Sequence, residues 1–135
     1  MPTTLQQRVT FRASPATLFD IYINSRKHTT ATGATAIVSR RVGGRFMAYA
    51  GHIRGRNLAI VSKRMIVQTW RGSDWKSGDL DSILTLVFSK MRRGARVSMV
   101  QANVPDAHAA SIKRGWVTYY WKPWKAYIRE ASRKR

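Results

Sequence analysis

Hydrophobic and polar residues alternate from Leu5 to Arg12. Leu5, Val9 and Phe11 fall on one side and Arg8, Thr10 and Arg12 on the other, which predicts a half-buried strand. Ser14-Pro15 then supplies an N-cap and a proline at the first helical position. Leu18, Phe19, Tyr22 and Ile23 follow at helical spacing, so a short helix comes next. Ser25 to Gly33 is polar and reads as irregular, with room for one more helical turn. A run of strands follows: Ala34 to Arg40, Arg45 to Gly51, His52 to Ile60, Arg64 to Arg71, Ser82 to Met91 and Ala95 to Val104. Gly43-Gly44 and Arg92-Arg93-Gly94 read as tight turns, and Gly72 to Asp81 as a polar loop holding Trp75.

Pro105 ends the strands and Asp106 can cap a long helix from Ala107 to about Ser132. At 100° per residue, Ile112, Trp116, Tyr119, Tyr120, Pro123 and Tyr127 share one face, with Arg114, Lys122, Lys125, Arg129 and Arg133 opposite. Pro123 removes the hydrogen bond to the carbonyl of Tyr119 and predicts a kink. The expected architecture is α+β: a strongly curved antiparallel sheet of about six to seven strands wrapped around the long C-terminal helix, with a short helix after the first strand. Residues 1–135 are expected to form one domain.

Several segments form an ordered set: Phe11 with Ala13-Ser14-Pro15, the Val42-Gly43-Gly44-Arg45-Phe46 hairpin, and His52-Ile53-Arg54-Gly55. Further along come Ile66-Val67-Gln68-Thr69-Trp70-Arg71 with Trp75, Asn103-Val104-Pro105, and Gly115-Trp116 with Tyr119-Tyr120. In that order they resemble the helix-grip superfamily (START-like, SRPBCC), and within it the C-terminal domain of the activator of the ninety-kilodalton heat-shock-protein ATPase and its bacterial homologues. The resemblance covers nearly the whole chain. It implies the helix-grip fold, a cavity between sheet and helix, a noncatalytic binding role, and a chaperone as partner.

Charge changes the picture. The chain carries 25 Lys plus Arg against 6 Asp plus Glu, a net +19, spread over every segment. That is the pattern of a resurfaced, supercharged chain, natural or engineered, and it predicts affinity for polyanions. With no cysteine, disulfides and thiolate metal sites are excluded. No apolar run reaches the ~20 residues that span a bilayer, and the first seven residues hold no apolar signal core, so a cytoplasmic location and no membrane partner are expected.

The cavity is expected to be lined by Phe11, Phe46, Trp70, Met99, Trp116 and Tyr120, and to take an apolar small ligand with one polar or anionic end. Nonspecific nucleic-acid binding is the alternative, through Arg54, Arg56, Arg114, Lys122, Lys125, Arg129 and Arg133 with Lys134 and Arg135. A solvated surface with no dedicated partner competes with it. Trp121 and Trp124 read either as stacking rings or, preferably, as packing against strand ends or the first helix. His28, His52 and His108 lack metal-ligand spacing, and no nucleophile elbow or phosphate loop occurs, so neither a cofactor, a metal nor catalytic residues are expected. Arg71 is expected to pair with Asp74 or Asp79.

Overall fold

The computed structural model describes residues 2–134; Met1 and Arg135, and with Arg135 the end of the cationic tail, lie outside the described residues. The elements run β1 (Thr3–Phe11), α1 (Pro15–Ile23), α2 (Ser25–Thr32), β2 (Ile37–Val38), β3 (Arg45–Ala48), a 3-10 turn (Tyr49–Gly51), β4 (Ile53–Val61), β5 (Met65–Gly72), β6 (Ser82–Met91), β7 (Gly94–Val104), α3 (Asp106–Trp116), a π-helical segment (Val117–Trp121) and α4 (Lys122–Arg133). The seven strands form one sheet in the order β1-β7-β6-β5-β4-β3-β2, antiparallel throughout. It is the expected α+β arrangement, with the C-terminal helix held against the sheet's inner face.

Local chemistry sets the element ends. Ser14 Oγ accepts from the Thr17 amide at 3.1 Å, and Pro15 opens α1. Ser25 to Gly33, expected to be irregular, is a true helix. Asn24 Oδ1 caps it by accepting from the Lys27 amide, and Gly33 closes it in the left-handed region (φ 81°). Its buried residues are His28 and Ala31, one turn apart, and neither registers as an apolar stripe.

The strand expected over Ala34 to Arg40 shrinks to Ile37–Val38. Side chains of α2 take its backbone instead: Thr29 Oγ1 accepts from the Ala36 amide at 2.9 Å and Ser25 Oγ from the Val38 amide at 2.8 Å. Asp106 is the first residue of its helix rather than the cap, and it accepts from the Thr3 hydroxyl.

Opposite Phe46 in the β3–β4 register stands Gly55. A Cβ at 55 would meet the Thr69 carbonyl at 1.8 Å and the Phe46 ring at 2.5 Å, so glycine alone lets the ring lie across β4.

The C-terminal helix departs from the expected wheel. In the π segment the Lys122 amide bonds to the Val117 carbonyl, five residues back. That wider turn slips the helical face by about one position. Trp116, Tyr120, Trp121 and Trp124 point into the core, while Tyr119, expected inside, is 55% exposed. Pro123 has no N–H for the Tyr119 carbonyl; the Tyr49 hydroxyl donates to that carbonyl instead. The break expected at Pro123 is therefore a π bulge one turn ahead of it.

Candidate functional site

An open cleft of about 460 Å³ lies between the sheet and the C-terminal helix. One wall is Tyr49, His52 and Ile53, from the 3-10 turn and the start of β4. The other is Ser111, Ile112, Gly115 and Tyr119, from α3 and the π segment. Trp70, Trp116 and Tyr120, all buried, complete the lining.

Each wall is held by identifiable bonds. Trp116 Nε1 donates to Gln101 Oε1 at 2.8 Å, Gln101 Nε2 donates to Ser82 Oγ at 3.0 Å, and Ser82 Oγ donates to the Trp70 carbonyl at 2.7 Å. This chain runs through the buried Gln101 and Ser82 and ties the Trp116 indole to the β5 backbone at Trp70. Tyr49 (φ 49°) and Ala50 (φ 56°) are left-handed although neither is glycine. Such residues cost roughly 1–2 kcal/mol each, and strain of this kind gathers where a site is shaped. The turn is braced by the Tyr49–Tyr119 hydrogen bond, by edge-to-face packing of the two rings at 5.5 Å, and by the Ala50 amide on the Thr35 carbonyl at 2.9 Å. Burial pushes the Tyr49 phenol up to about 12, so it stays a donor at neutral pH.

Polar groups at the cleft are few. His52 Nδ1 sits 2.7 Å from Ser73 Oγ, and Ser111 is exposed. Trp70 Nε1 is a buried donor that no protein group satisfies. Behind the cleft, His28 Nδ1 lies 2.8 Å from the Tyr22 carbonyl and Nε2 lies 3.0 Å from the Tyr120 hydroxyl. A carbonyl can only accept, so Nδ1 carries the proton and Nε2 accepts from Tyr120. The Tyr22 hydroxyl donates to Gln68 Oε1 at 2.7 Å, and Gln68 donates to Asn57 at 2.8 Å.

Of the six residues expected to line the cavity, Trp70, Trp116 and Tyr120 meet at the cleft. Phe11 packs behind it against Trp121 and Trp124, Met99 is buried in β7, and Phe46 lies across Gly55. Tyr49, Ile53, Ser111 and Gly115 were not legible as site residues. Only Gly51 hinted that the third strand ends early in a left-handed turn.

The seven cations divide between two surfaces. Arg54 and Arg56 project from the outer face of the sheet, whereas Arg114, Lys122, Lys125, Arg129 and Arg133 lie exposed on α3 and α4. Lys125 Nζ sits 5.9 Å from the Phe11 ring centre. Arg71 pairs with the Asp81 carboxylate at 3.3 Å and bonds the Asp79 carbonyl, rather than the side chain of Asp74 or Asp79. Trp121 and Trp124 are buried, Trp121 donating to Gln7 Oε1 at 2.7 Å, and are not available for stacking. Among the described residues no group of three His, Cys, Asp or Glu could hold a metal, and no helix is long and apolar enough to cross a membrane.

The family model described as activator of Hsp90 ATPase homolog 1-like protein matches residues 12–129. The activator of 90 kDa heat shock protein ATPase homolog of Dictyostelium discoideum is 31% identical over 114 residues, covering 84% of this chain and 30% of that protein. The chain spans about a third of the length of the curated relatives it matches. The crystal structure of an HSP90 activator from Plasmodium falciparum superposes with a TM-score of 0.85 at 22% identity, covering 93% of this chain and 95% of that one. A Chromobacterium violaceum protein superposes at 0.74 with 26% identity, over 95% and 98% of the two chains.

Proposed function

Since the chain belongs to the family of activator of Hsp90 ATPase homolog 1-like proteins, we propose that it is a noncatalytic helix-grip binding domain whose cleft takes an apolar ligand with one polar or anionic end. The observation that carries this reading is the cleft itself: an aromatic floor of Trp70, Trp116 and Tyr120 with few polar groups around it. Gly115 supports it too. A Cβ there would meet only the Tyr119 ring, at 3.6 Å, so the space beside it is open.

Gly115 also gives the test. Gly115→Leu is expected to fill the cleft while favouring the helix by up to about 1 kcal/mol. Displacement of a fluorescent apolar dye by decanoate, together with native mass spectrometry, reads the outcome. The wild-type chain binds, and the variant binds at least about tenfold more weakly at equal or higher melting temperature. No displacement from the wild-type chain, and no retained small molecule, would remove the ligand reading.

The relatives' names supply a chaperone as partner. Stimulation of ATP hydrolysis by a 90 kDa heat shock protein tests it, and a flat rate across a titration of this chain would argue against it.

A second reading rests on the exposed cations of α4: nonspecific binding of single-stranded nucleic acid. Replacing Lys122, Lys125 and Arg129 with Gln is expected to lower the slope of log K against log salt by about 2, at roughly 0.7 per lost phosphate contact. Filter binding of an oligothymidylate across a salt series measures it. An unchanged slope would show that α4 is not the contact.

A further inference from the structure

The outer face of the sheet, turned away from the helices, has a middle without charge. Successive rungs cross the strands in register. Thr69, Ile83 and Ala102 form one rung; Ala59, Val67, Thr85 and Val100 form the next; Val61, Met65, Val87 and Ser98 form the third. On β5, β6 and β7 the residues between them are buried in the core, and on β4 the half-buried Ile60 packs against it, so these positions face out. Not one is ionisable, in a chain where 23% of residues are charged. The strip measures roughly 14 Å along each direction of the sheet.

Arginines surround it. Arg8 stands opposite Ser98, and Arg96 lies one rung beyond on β7. On the other side Arg45 pairs with Arg56 and Arg54 with Arg71, two like-charge pairs directly across neighbouring strands. Such pairs are destabilising in the free protein. Asp81 reaches Arg71, and among the described residues no carboxylate pairs with Arg45, Arg54 or Arg56. Ile37 (61% exposed) and Ile83 (37% exposed) add apolar surface at the margin and in the strip.

An uncharged centre with an arginine rim is the composition of a protein interface. The rim's charge selects the occupant. A second copy would bring arginines against arginines. Nucleic acid would find no ring to stack on, because none of the rung positions is aromatic. A bilayer surface would lack the Trp and Tyr anchors that sit at lipid headgroups, since the tryptophans are buried on the other side. We propose that the outer face of β4–β7 docks a protein segment that presents aliphatic side chains flanked by carboxylates. The proposal goes beyond the cleft reading and does not depend on it.

The probe is a fluorescent peptide of alternating valine and glutamate, compared with an oligoglutamate of equal charge at about 0.15 M salt, where surface charges are screened beyond ~8 Å. The wild-type chain is expected to bind the valine-containing peptide at least about tenfold more tightly. Ile83→Lys and Thr85→Lys each raise the net charge. Each is expected to weaken the valine–glutamate peptide by about tenfold while leaving oligoglutamate equal or tighter. Equal affinities for the two peptides, both strengthened by Ile83→Lys, would overturn the proposal, because charge alone would then explain binding. Should the variants not fold, backbone amide shifts on the wild-type chain decide. Perturbation along the three rungs supports docking; perturbation confined to α4, or a stronger response of the rungs to oligothymidylate or phosphatidylserine vesicles, overturns it. Gly115→Leu leaves the peptide affinity unchanged, so loss of cleft binding and loss of docking are read separately.

Discussion

Trp124→Ala is expected to destabilise the protein by about 3–5 kcal/mol, the cost of removing a large buried ring whose cavity cannot close. Trp124 is fully buried, with ring centres of Phe11 at 5.8 Å, Trp121 at 5.4 Å, Tyr120 at 6.3 Å and Tyr22 at 6.4 Å. It joins the C-terminal helix to β1 and α1 at one point. Its Nε1 has no hydrogen-bond partner, so Trp124→Phe removes an unsatisfied donor along with part of the ring and is expected to cost less than half as much. Urea denaturation of the three proteins measures both. A cost below about 1 kcal/mol for the alanine variant would mean that this cluster does not hold the helix.

The second large effect is acid destabilisation through His28. Its ring is fully buried, and burial holds its pKa down at about 4 against an ordinary 6.5. The neutral form donates Nδ1–H to the Tyr22 carbonyl and accepts from Tyr120 at Nε2. Because the folded value is depressed, the unfolded chain takes up this proton first. The contribution is complete above pH 6.5, is lost progressively as pH falls, and is gone below about pH 4. At 1.36 kcal/mol per pH unit the loss approaches about 3 kcal/mol. His28→Gln is expected to flatten the stability curve between these limits by about that amount, as read by urea melts at pH 7, 5.5 and 4.5. Ring proton shifts give an independent check: a His28 resonance titrating near pH 6.5 in the folded protein would contradict the burial argument.

The succession of strands along the chain and the final helix were legible because their signals are local, whereas the pairing of β1 with β7 joins the two ends of the succession and has no local signal. Alternation from Leu5 to Phe11, the Ser14-Pro15 cap and the turns at Gly43-Gly44 and Arg92-Arg93-Gly94 each depend on neighbours in the chain. The helix over Ser25–Thr32 was not, because its inward residues, His28 and Ala31, carry no apolar periodicity and His28 is satisfied only by Tyr22 and Tyr120. Three of the six expected cavity residues converge at the cleft; Phe11, Phe46 and Met99 share their aromatic or apolar character but belong to other parts of the core.

The amino-acid sequence by itself determined the α+β class, the antiparallel succession of strands, the ring-rich C-terminal helix and the excess of positive charge, since periodicity, turn residues and composition are properties of neighbouring positions. Only the tertiary structure decided which rings of that helix face inward. Pro123 strips a donor from the Tyr119 carbonyl, and a hydroxyl 70 residues away, on Tyr49, replaces it. With that bond the π segment turns Trp121 inward and Tyr119 outward, shaping the cleft. A helix's own spacing cannot foretell a hydrogen bond supplied from another element, nor the packing of Trp121 and Trp124 on Phe11 and of Trp124 on Tyr22 that accompanies their inward orientation.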